Sequence, residues 1–302
     1  MNILLLGKTG QVAQSFLSMK KSKTRILAFD REEMPLDDRH KLSNNLSNVL
    51  RNNSIDFLIN AAAFTDVNEA EVNSQLAFEI NSNALLTITR EIKKNSKKKT
   101  TLIHFSTDYI FDGTGNKPWY PHSKPNPLNV YGKSKLKGEE AIIHSNIPAL
   151  ILRTSWVFSK NGTNFLKTVL NKLKKNETLK IVDDQSGSPT SSDFISKFCW
   201  HVLENSLEYK KFGIYHLTGK GVTTWYKFAK FIAKTAHEKG VFDVDISNNI
   251  LPVKSSDYSS KVIRPKNSYL DCQSLEKDFS FPRTTWQEQT SKILDQIISE
   301  TK

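Results

Sequence analysis

The sequence predicts an α/β protein with a doubly wound parallel sheet, followed by a smaller mixed α/β C-terminal domain. Three observations support this fold class. Short apolar runs alternate with helix-like segments through the first half of the 302 residues, as in parallel sheets covered by helices. These runs contain few polar residues, as expected of strands buried on both faces. Beyond about residue 155 the alternation becomes irregular, which predicts the second domain.

The first half contains five predicted strands, which span residues 3–6, 25–29, 56–60, 101–105 and 148–152. The first strand ends at Gly7, and a helix is predicted from Gly10. Between the third and fourth strands, apolar side chains recur every four residues along one face of a predicted amphipathic helix, at Leu76, Ile80, Ala84 and Ile88.

In the second half, helix patterns cover residues 164–174, 191–203 and 224–237. Residues 252–270 carry two prolines and many polar side chains, so a long surface segment is predicted there. We expect residues 1–155 to form the first domain. Residues 156–302 would mainly form the second, with some segments returning to the first.

Composition excludes several classes of protein. The net charge of +12 is concentrated in lysine clusters near predicted helix ends, where the helix dipole favours cations, and no nucleic-acid motif accompanies them. The two cysteines lack disulfide or zinc-site spacing, and Cys199 lies in an apolar run that predicts a buried thiol. No run is long enough to span a membrane, and the N-terminal residues do not resemble a signal peptide. We therefore expect a soluble cytoplasmic protein that binds neither membranes nor nucleic acid.

The segment from Gly7 to Ala13 joins the first predicted strand to the first helix. Glycines at 7 and 10 allow a tight turn and close approach of a pyrophosphate to a helix N-terminus. Asp30 follows about 20 residues later, at the end of the second strand, where it can accept hydrogen bonds from a ribose. Arg31 can instead hold a 2′-phosphate. The sequence thus predicts dinucleotide binding and leaves the choice between NADH and NADPH open.

A second group of residues points to acid–base chemistry. The fourth strand brings Ser106, Thr107 and Asp108 to the carboxyl edge of the sheet, where ligands bind in such folds. Tyr131 and Lys135 are four residues apart, so both can project from one face of a helix. A neighbouring ammonium favours the phenolate, and we expect Lys135 to lower the pKa of Tyr131.

Several further stretches accompany these motifs, in an order known from other proteins. The full set is Gly7 to Ala13, Asn60-Ala61-Ala62-Ala63, Ser106-Thr107-Asp108-Tyr109, Tyr131-Gly132-Lys133-Ser134-Lys135, Arg153-Thr154-Ser155-Trp156, Asp184-Gln185-x-Gly187-x-Pro189-Thr190, Tyr215-His216-Leu217 and Arg264-Pro265-x-Asn267-Ser268-x-Leu270. In this order they resemble the extended short-chain dehydrogenases/reductases, and within them the dTDP-4-dehydrorhamnose reductase family. The resemblance spans nearly the whole chain.

The resemblance implies a Rossmann-type NAD(P)-binding domain in residues 1–155 and a mainly substrate-binding domain in residues 156–302. It also implies an oxidoreductase that reduces the C4 ketone of dTDP-4-dehydro-β-L-rhamnose with NADPH or NADH, in deoxysugar synthesis for surface polysaccharide. Two alternatives stay open. The chain would otherwise reduce another nucleotide-linked 4-keto sugar, or serve as a non-catalytic regulatory member of the family.

The resemblance also implies roles for individual residues. Tyr131 would protonate the ketone oxygen, Lys135 would bind the nicotinamide ribose, and Thr107 would polarise the ketone. Asp108 and Trp156 match substrate-binding positions, although Trp156 can also be read as a core residue. The predicted cofactor-binding residues are Gly7, Thr9, Gly10, Gln11, Val12, Asp30, Arg31, Asp37, Asp38, Ala62, Ala63, Thr65, Ser106, Tyr131 and Lys135.

Some positions depart from the family pattern. Ala13 replaces the third glycine of the cofactor loop, and Asp66 and Asn68 differ from the expected residues near the substrate entrance. Some relatives bind magnesium through carboxylates at a dimer interface, but Ser15 stands where such a carboxylate is expected. The sequence therefore predicts no metal site, and it does not distinguish a monomer from a homodimer.

The remaining motif residues have two possible roles each. Asn81 matches an asparagine with a structural or proton-relay role. Five other motif residues either contact the substrate or shape the fold, namely Asp184, Gln185, Gly187, Arg264 and Asn267.

Overall fold

The computed structural model describes residues 1–205, 211–242, 247–257 and 262–300. The strands are β1 (Asn2–Leu6), β2 (Arg25–Phe29), β3 (Phe57–Asn60), β4 (Thr101–Thr107), β5 (Ala149–Thr154), β6 (Val157–Phe158), β7 (Leu179–Val182), β8 (Ser186–Gly187), β9 (Thr190–Ser191), β10 (Gly213–His216), β11 (Thr223–Thr224), β12 (Ile250–Val253) and β13 (Asn267–Ser268). The α-helices are α1 (Gln11–Ser18), α2 (Arg39–Asn52), α3 (Val67–Val72), α4 (Ser74–Phe78), α5 (Ala84–Asn95), α6 (Val130–Ser145), α7 (Phe165–Lys174), α8 (Ser192–Glu204), α9 (Trp225–Glu238), α10 (Gln273–Phe279) and α11 (Trp286–Ser299). A π-helical turn covers Glu79–Asn83, and 3₁₀ turns cover Asp108–Ile110, Ser247–Asn249 and Ser255–Asp257.

Six strands form the central sheet in the order β2-β1-β3-β4-β5-β10, and every neighbouring pair is parallel. The predicted α/β class and parallel sheet are thereby confirmed. Because β1 pairs with β2 on one side and β3 on the other, the chain reverses its direction of winding at β1. Such a switch point opens a crevice at the carboxyl ends of the strands, where ligands bind in this class of sheet.

Two apolar layers cover the sheet. On one face, side chains of α1, α8 and α10 pack in a single cluster with apolar residues of β1, β4 and β5. On the other face, α2, α5 and α6 pack against alternate residues of the same strands. Burial on both faces explains the nearly continuous apolar runs in the sequence.

The second half of the chain contributes to both parts of the molecule. Strand β10 completes the sheet beside β5, and α8 packs on α1. A separate apolar cluster is formed by α7, α9 and α11 with β7 and β12. The second half therefore contributes a strand to the central sheet, whereas the division into two domains at residues 155 and 156, with segments returning to the first, stays a prediction.

Two sequence-based expectations need correction. The predicted helix through Leu76 and Ile88 is interrupted by the π turn, which widens the backbone locally and contains the buried Asn81. Residues 252–270 are not a surface segment throughout, because β13 and its neighbour Leu270 are buried. Residues 258–261 of that segment lie outside the described residues.

Both cysteines are free and buried, as predicted for Cys199. Within the described ranges, no helix has the length and apolar character needed to cross a membrane.

Candidate active site

The loop between β1 and α1 is tight and close to β3. Gly7 has a φ of +81°, and a Cβ added there would lie 2.8 Å from the Ala62 nitrogen, so a side chain is excluded on both grounds. Gly10 is the N-cap of α1 and provides no side-chain cap. The first backbone N–H groups of α1 are therefore available to an anion, such as a pyrophosphate.

A cleft of about 820 Å³ opens above this loop. It brings together all but one of the predicted cofactor-binding residues, namely Gly7, Thr9, Gly10, Gln11, Val12, Asp30, Arg31, Asp37, Ala62, Ala63, Thr65, Ser106, Tyr131 and Lys135. Apolar side chains that the sequence did not predict as cofactor-binding complete the walls, among them Met34, Leu36, Leu76 and Ile80.

The exception is Asp38, which is absent from the lining of the cleft. Its carboxylate accepts a hydrogen bond from the Lys41 nitrogen at 3.0 Å and caps α2. An aspartate before a helix commonly has this capping role, and the contact of Asp38 with the cofactor stays a prediction.

Charged pairs line the end of the cleft beside β2. Lys8 lies 3.0 Å from an Asp30 oxygen and 2.7 Å from a Glu33 oxygen, and these contacts raise the pKa of Lys8 and lower that of Asp30. Arg31 pairs with Asp37 at 2.7 Å. Because both Asp30 and Arg31 already have charged partners, the structure leaves the preference between NADH and NADPH open.

Helix α6 positions the predicted acid–base pair. The Asn129 side chain accepts a hydrogen bond from the Gly132 nitrogen at 2.9 Å, so the helix begins just before Tyr131. Lys135 lies one turn further on, almost fully buried, and its Nζ donates to the Phe105 carbonyl at 2.6 Å. Burial lowers the pKa of Lys135 to about 8, against the opposing charge of Glu139.

The pKa of Tyr131 differs from the expectation. Burial raises it to about 12, while a hydrogen bond with Thr107 acts in the opposite direction. Within the described chain, Lys135 Nζ has its polar contacts with His104 and Phe105 of β4 and not with the phenol. The predicted lowering of the Tyr131 pKa by Lys135 is therefore wrong, because the lysine faces the strand and desolvation of the phenol dominates.

Thr107 and Asp108 lie beside this tyrosine at the end of β4, and both are buried. The Thr107 hydroxyl is 3.2 Å from an Asp108 oxygen. Burial raises the pKa of Asp108 to about 6, although hydroxyl groups of Ser268 and Thr107 oppose the shift. Asp108 can therefore change its charge within the pH range where proteins are assayed.

A second cavity has a volume of about 690 Å³. Its wall includes Tyr109, whose ring meets the Tyr131 ring edge-on at 5.6 Å. Trp225 and Phe165 also line this cavity. Four cationic side chains are among its lining residues, namely Lys180, Lys254, Arg264 and Lys266.

Trp156 packs against Trp225, one of the aromatic residues that line this cavity. Its ring stacks on Trp225 with centroids 3.6 Å apart, and it lies so close to Gly187 that a Cβ there would be 2.6 Å from the ring. The aromatic wall was missed at the sequence level because Trp225 and Phe165 occupy ordinary core positions of amphipathic helices.

The structure gives hydrogen-bond partners to residues whose roles the sequence left open. Asn81 bonds to the backbone of Phe64 through both side-chain atoms at 2.9 Å, and to the Ser134 hydroxyl. Asn267 donates to the Lys117 carbonyl. Arg264 instead lines the second cavity and donates to Asn68.

Asp184 and Gln185 also line the second cavity, and Asp184 accepts hydrogen bonds from Ser255. Ser15 is buried against Ser192, with 2.7 Å between the hydroxyl oxygens. Among the described residues there is no cluster of three or more histidine, cysteine or acidic side chains that suits a metal ion.

The cleft fits a dinucleotide by three criteria. It has a glycine loop that excludes a side chain, an uncapped helix N-terminus and an acidic residue at the end of β2. In addition, the buried hydroxyls of Ser106 and Thr154 line the cleft without hydrogen-bond partners in the structure, so they are available to a bound group.

Known proteins share both the sequence and the fold. A family model described as the RmlD substrate binding domain matches residues 1–299. The chain is 33% identical to dTDP-4-dehydrorhamnose reductase of Escherichia coli, over 100% of this chain and 99% of that protein.

Two solved structures extend the comparison. One is a dTDP-4-dehydrorhamnose reductase of Bacillus anthracis in complex with NADP, with a TM-score of 0.88, 26% identity, and coverage of 98% of this chain and 99% of that one. The other is from Clostridium acetobutylicum, with a TM-score of 0.87, 27% identity, and coverage of 99% and 100%. Since family model, sequence and fold agree along nearly the whole length, the chain belongs to the RmlD substrate binding domain family, together with the dTDP-4-dehydrorhamnose reductases that it resembles.

Proposed function

We propose that this protein reduces the C4 ketone of dTDP-4-dehydro-β-L-rhamnose to dTDP-β-L-rhamnose, with NADPH or NADH as reductant. The observation that carries the proposal is the position of Tyr131, which lines the dinucleotide cleft and touches the wall of the second cavity through Tyr109. A proton donor at such a junction can act on a ketone held between the two sites. The names of the full-length relatives support the same reaction.

When bound, a reduced nicotinamide dinucleotide supplies the hydride that adds to the ketone carbon. The protein contributes the binding groups. The amides around Gly7 and Gly10 would hold the pyrophosphate, Asp30 would accept hydrogen bonds from the adenosine ribose, and Lys135 would donate to the nicotinamide ribose.

The protein also supplies the proton that the ketone oxygen needs. Tyr131 would donate its phenolic hydrogen as negative charge develops on that oxygen, while Thr107 would donate a second hydrogen bond. Lys135 would stabilise the resulting phenolate through its charge. The protonated phenol is the form present at neutral pH, because the pKa of Tyr131 is about 12.

The second cavity has the chemistry expected of a nucleotide-sugar site. Lys180, Lys254, Arg264 and Lys266 provide the positive charge that a diphosphate requires. The apolar face of Trp225 offers a surface for a base or a deoxysugar. Production of surface polysaccharide precursors would follow from this activity.

The direct test supplies purified protein with dTDP-4-dehydro-β-L-rhamnose and follows the loss of absorbance of NADH and of NADPH. Identification of the product by NMR separates this substrate from other 4-keto sugar nucleotides, which need the same catalytic groups. Absence of turnover with both cofactors would sink the proposal and would favour a non-catalytic member of the family.

The Tyr131→Phe variant tests the proton donor. We expect kcat to fall by about 10²- to 10⁴-fold, because a general acid is lost while the ring remains. The matched control is Tyr120→Phe, which removes the hydroxyl of an exposed tyrosine and should leave kcat unchanged. Equal rates for the two variants would contradict the assigned role.

A further inference from the structure

A chain of buried polar side chains runs beneath the cleft, and the reaction described above does not use its central member, His104. This histidine is 1% exposed and belongs to β4, directly opposite Asn60 of β3. Asn60 Nδ2 lies 3.3 Å from His104 Nδ1, and His104 Nε2 lies 3.3 Å from Lys135 Nζ. The imidazole therefore connects Asn60 of β3 to Lys135 of α6.

The backbone determines how the Asn60 amide is oriented. The Ala62 nitrogen donates to Asn60 Oδ1 at 3.2 Å, so this oxygen is the acceptor and Nδ2 faces the imidazole. Since an amide NH₂ group only donates hydrogen bonds, His104 Nδ1 must accept. The tautomer of a histidine follows from the hydrogen bond made by its other ring nitrogen.

A neutral His104 then carries its single proton on Nε2, and this N–H points towards Lys135 Nζ. The imidazole is neutral, because burial and the nearby charge of Lys135 hold its pKa well below the ordinary value. An ammonium has three N–H donors and no acceptor, whereas a neutral amine can accept through its lone pair. The orientation of His104 therefore disfavours the charged form of the lysine.

The other groups around Lys135 Nζ do not cancel this effect. The Phe105 carbonyl accepts one N–H at 2.6 Å, and a carbonyl can do so from either form of the lysine. Glu139, one turn further along α6, favours the ammonium, but its carboxylate is engaged by Arg153.

We propose that His104 is a positioning residue whose Nε2–H, directed at Lys135 Nζ, facilitates release of a proton by the lysine near neutral pH. The proposal rests on the function proposed above, because it assigns to Lys135 the replacement of the proton that Tyr131 gives to the ketone oxygen. In that step an N–H bond of Lys135 breaks and the O–H bond of Tyr131 forms again, directly or through an intervening hydroxyl.

The first test examines the full-length protein without cofactor or substrate. Nitrogen NMR of the ¹⁵N-labelled histidine rings identifies which nitrogen of His104 carries the proton, with assignment by loss of the signals in His104→Gln. We expect a neutral ring protonated on Nε2 at neutral pH. A proton on Nδ1, or a doubly protonated ring, overturns the proposal, and this outcome is independent of whether the protein is a reductase.

The second test measures the titration of Lys135 from its ¹³Cε signal, assigned by loss in Lys135→Met. In His104→Gln the amide oxygen can face the ammonium, so we expect the pKa of Lys135 to rise by about one unit. The matched control is His216→Gln, which replaces another fully buried histidine and should leave this titration unchanged. An unaltered pKa in a folded His104→Gln protein overturns the proposal in favour of simple packing.

The kinetic consequence is tested last. Activity should decline on the alkaline side as Lys135 loses its proton, and in His104→Gln this decline should move to higher pH by about one unit. A uniform fall in kcat with an unmoved pH profile would contradict the proposed coupling. Should His104→Gln not fold, the tautomer of the unaltered protein still decides the question.

Discussion

The buried ion pair beneath the active-site helix leads to a quantitative prediction. Arg153 of β5 donates through Nε and Nη2 to the two carboxylate oxygens of Glu139 in α6, at 2.9 and 2.6 Å. The two side chains are 2% and 1% exposed. Arg153 Nη1 also donates to the Pro121 carbonyl at 3.0 Å. The pair joins the sheet to the helix that carries Tyr131 and Lys135.

We expect Arg153→Met to lower the free energy of unfolding by about 4 kcal/mol. Removal of one partner of a buried pair typically costs about 3–5 kcal/mol, because the other charge is left without compensation. This is a large part of the roughly 5–15 kcal/mol that stabilises a typical protein. For a chain of this size the melting temperature should fall by about 8 °C, at roughly 2 °C per kcal/mol.

Urea denaturation of a double-mutant cycle measures the effect. Adding Glu139→Leu to Arg153→Met should restore most of the lost stability, because no unpaired charge then stays buried. The matched control is Lys137→Met, which breaks the exposed pair with Glu140 and should cost less than about 0.5 kcal/mol. A cost for Arg153→Met no larger than that of the control, or additive effects in the cycle, would refute this reasoning.

Three further predictions concern ligands. Gly7→Ala should weaken cofactor binding at least about tenfold in calorimetric titration, since a Cβ would lie 2.8 Å from the Ala62 nitrogen and φ is +81°. Asp30→Asn should shift the ratio of the dissociation constants towards NADPH, because Lys8, freed from this partner, can approach a 2′-phosphate; an unchanged ratio would contradict this role. The substrate KM should rise as the pH falls through about 6, because Asp108 becomes protonated and accepts hydrogen bonds less strongly than the carboxylate does, and Asp108→Asn should abolish this pH dependence.

Local sequence patterns were sufficient to predict the sheet and the cofactor loop. Apolar runs between turn residues identify the strands. The glycine loop followed by Asp30 indicates a dinucleotide site from nearby sequence alone. The Asn129 cap similarly explains why α6 starts where Tyr131 and Lys135 share a face. These features depend on residues that are close together in the sequence, so their physical causes can be recognised from the sequence alone.

Features that depend on tertiary structure were predicted poorly. The direction of the Tyr131 pKa shift depends on how the phenol is desolvated and on where the Lys135 ammonium points. Asp38 has the residue type of a ligand-binding position, and in the fold its carboxylate caps α2. His104 was read as part of a strand, because its contact with Lys135 joins residues 31 positions apart.

The placement of β10 at the edge of the sheet has a consequence for folding during synthesis. All six residues of β5 are buried, and its outer edge is covered by a strand that begins about 60 residues later in the chain. At a typical rate of about 5–20 residues per second, the ribosome needs on the order of several seconds to produce that strand. During this interval the nascent chain presents an open apolar edge, which is the kind of surface that pairs with other chains and that chaperones shield.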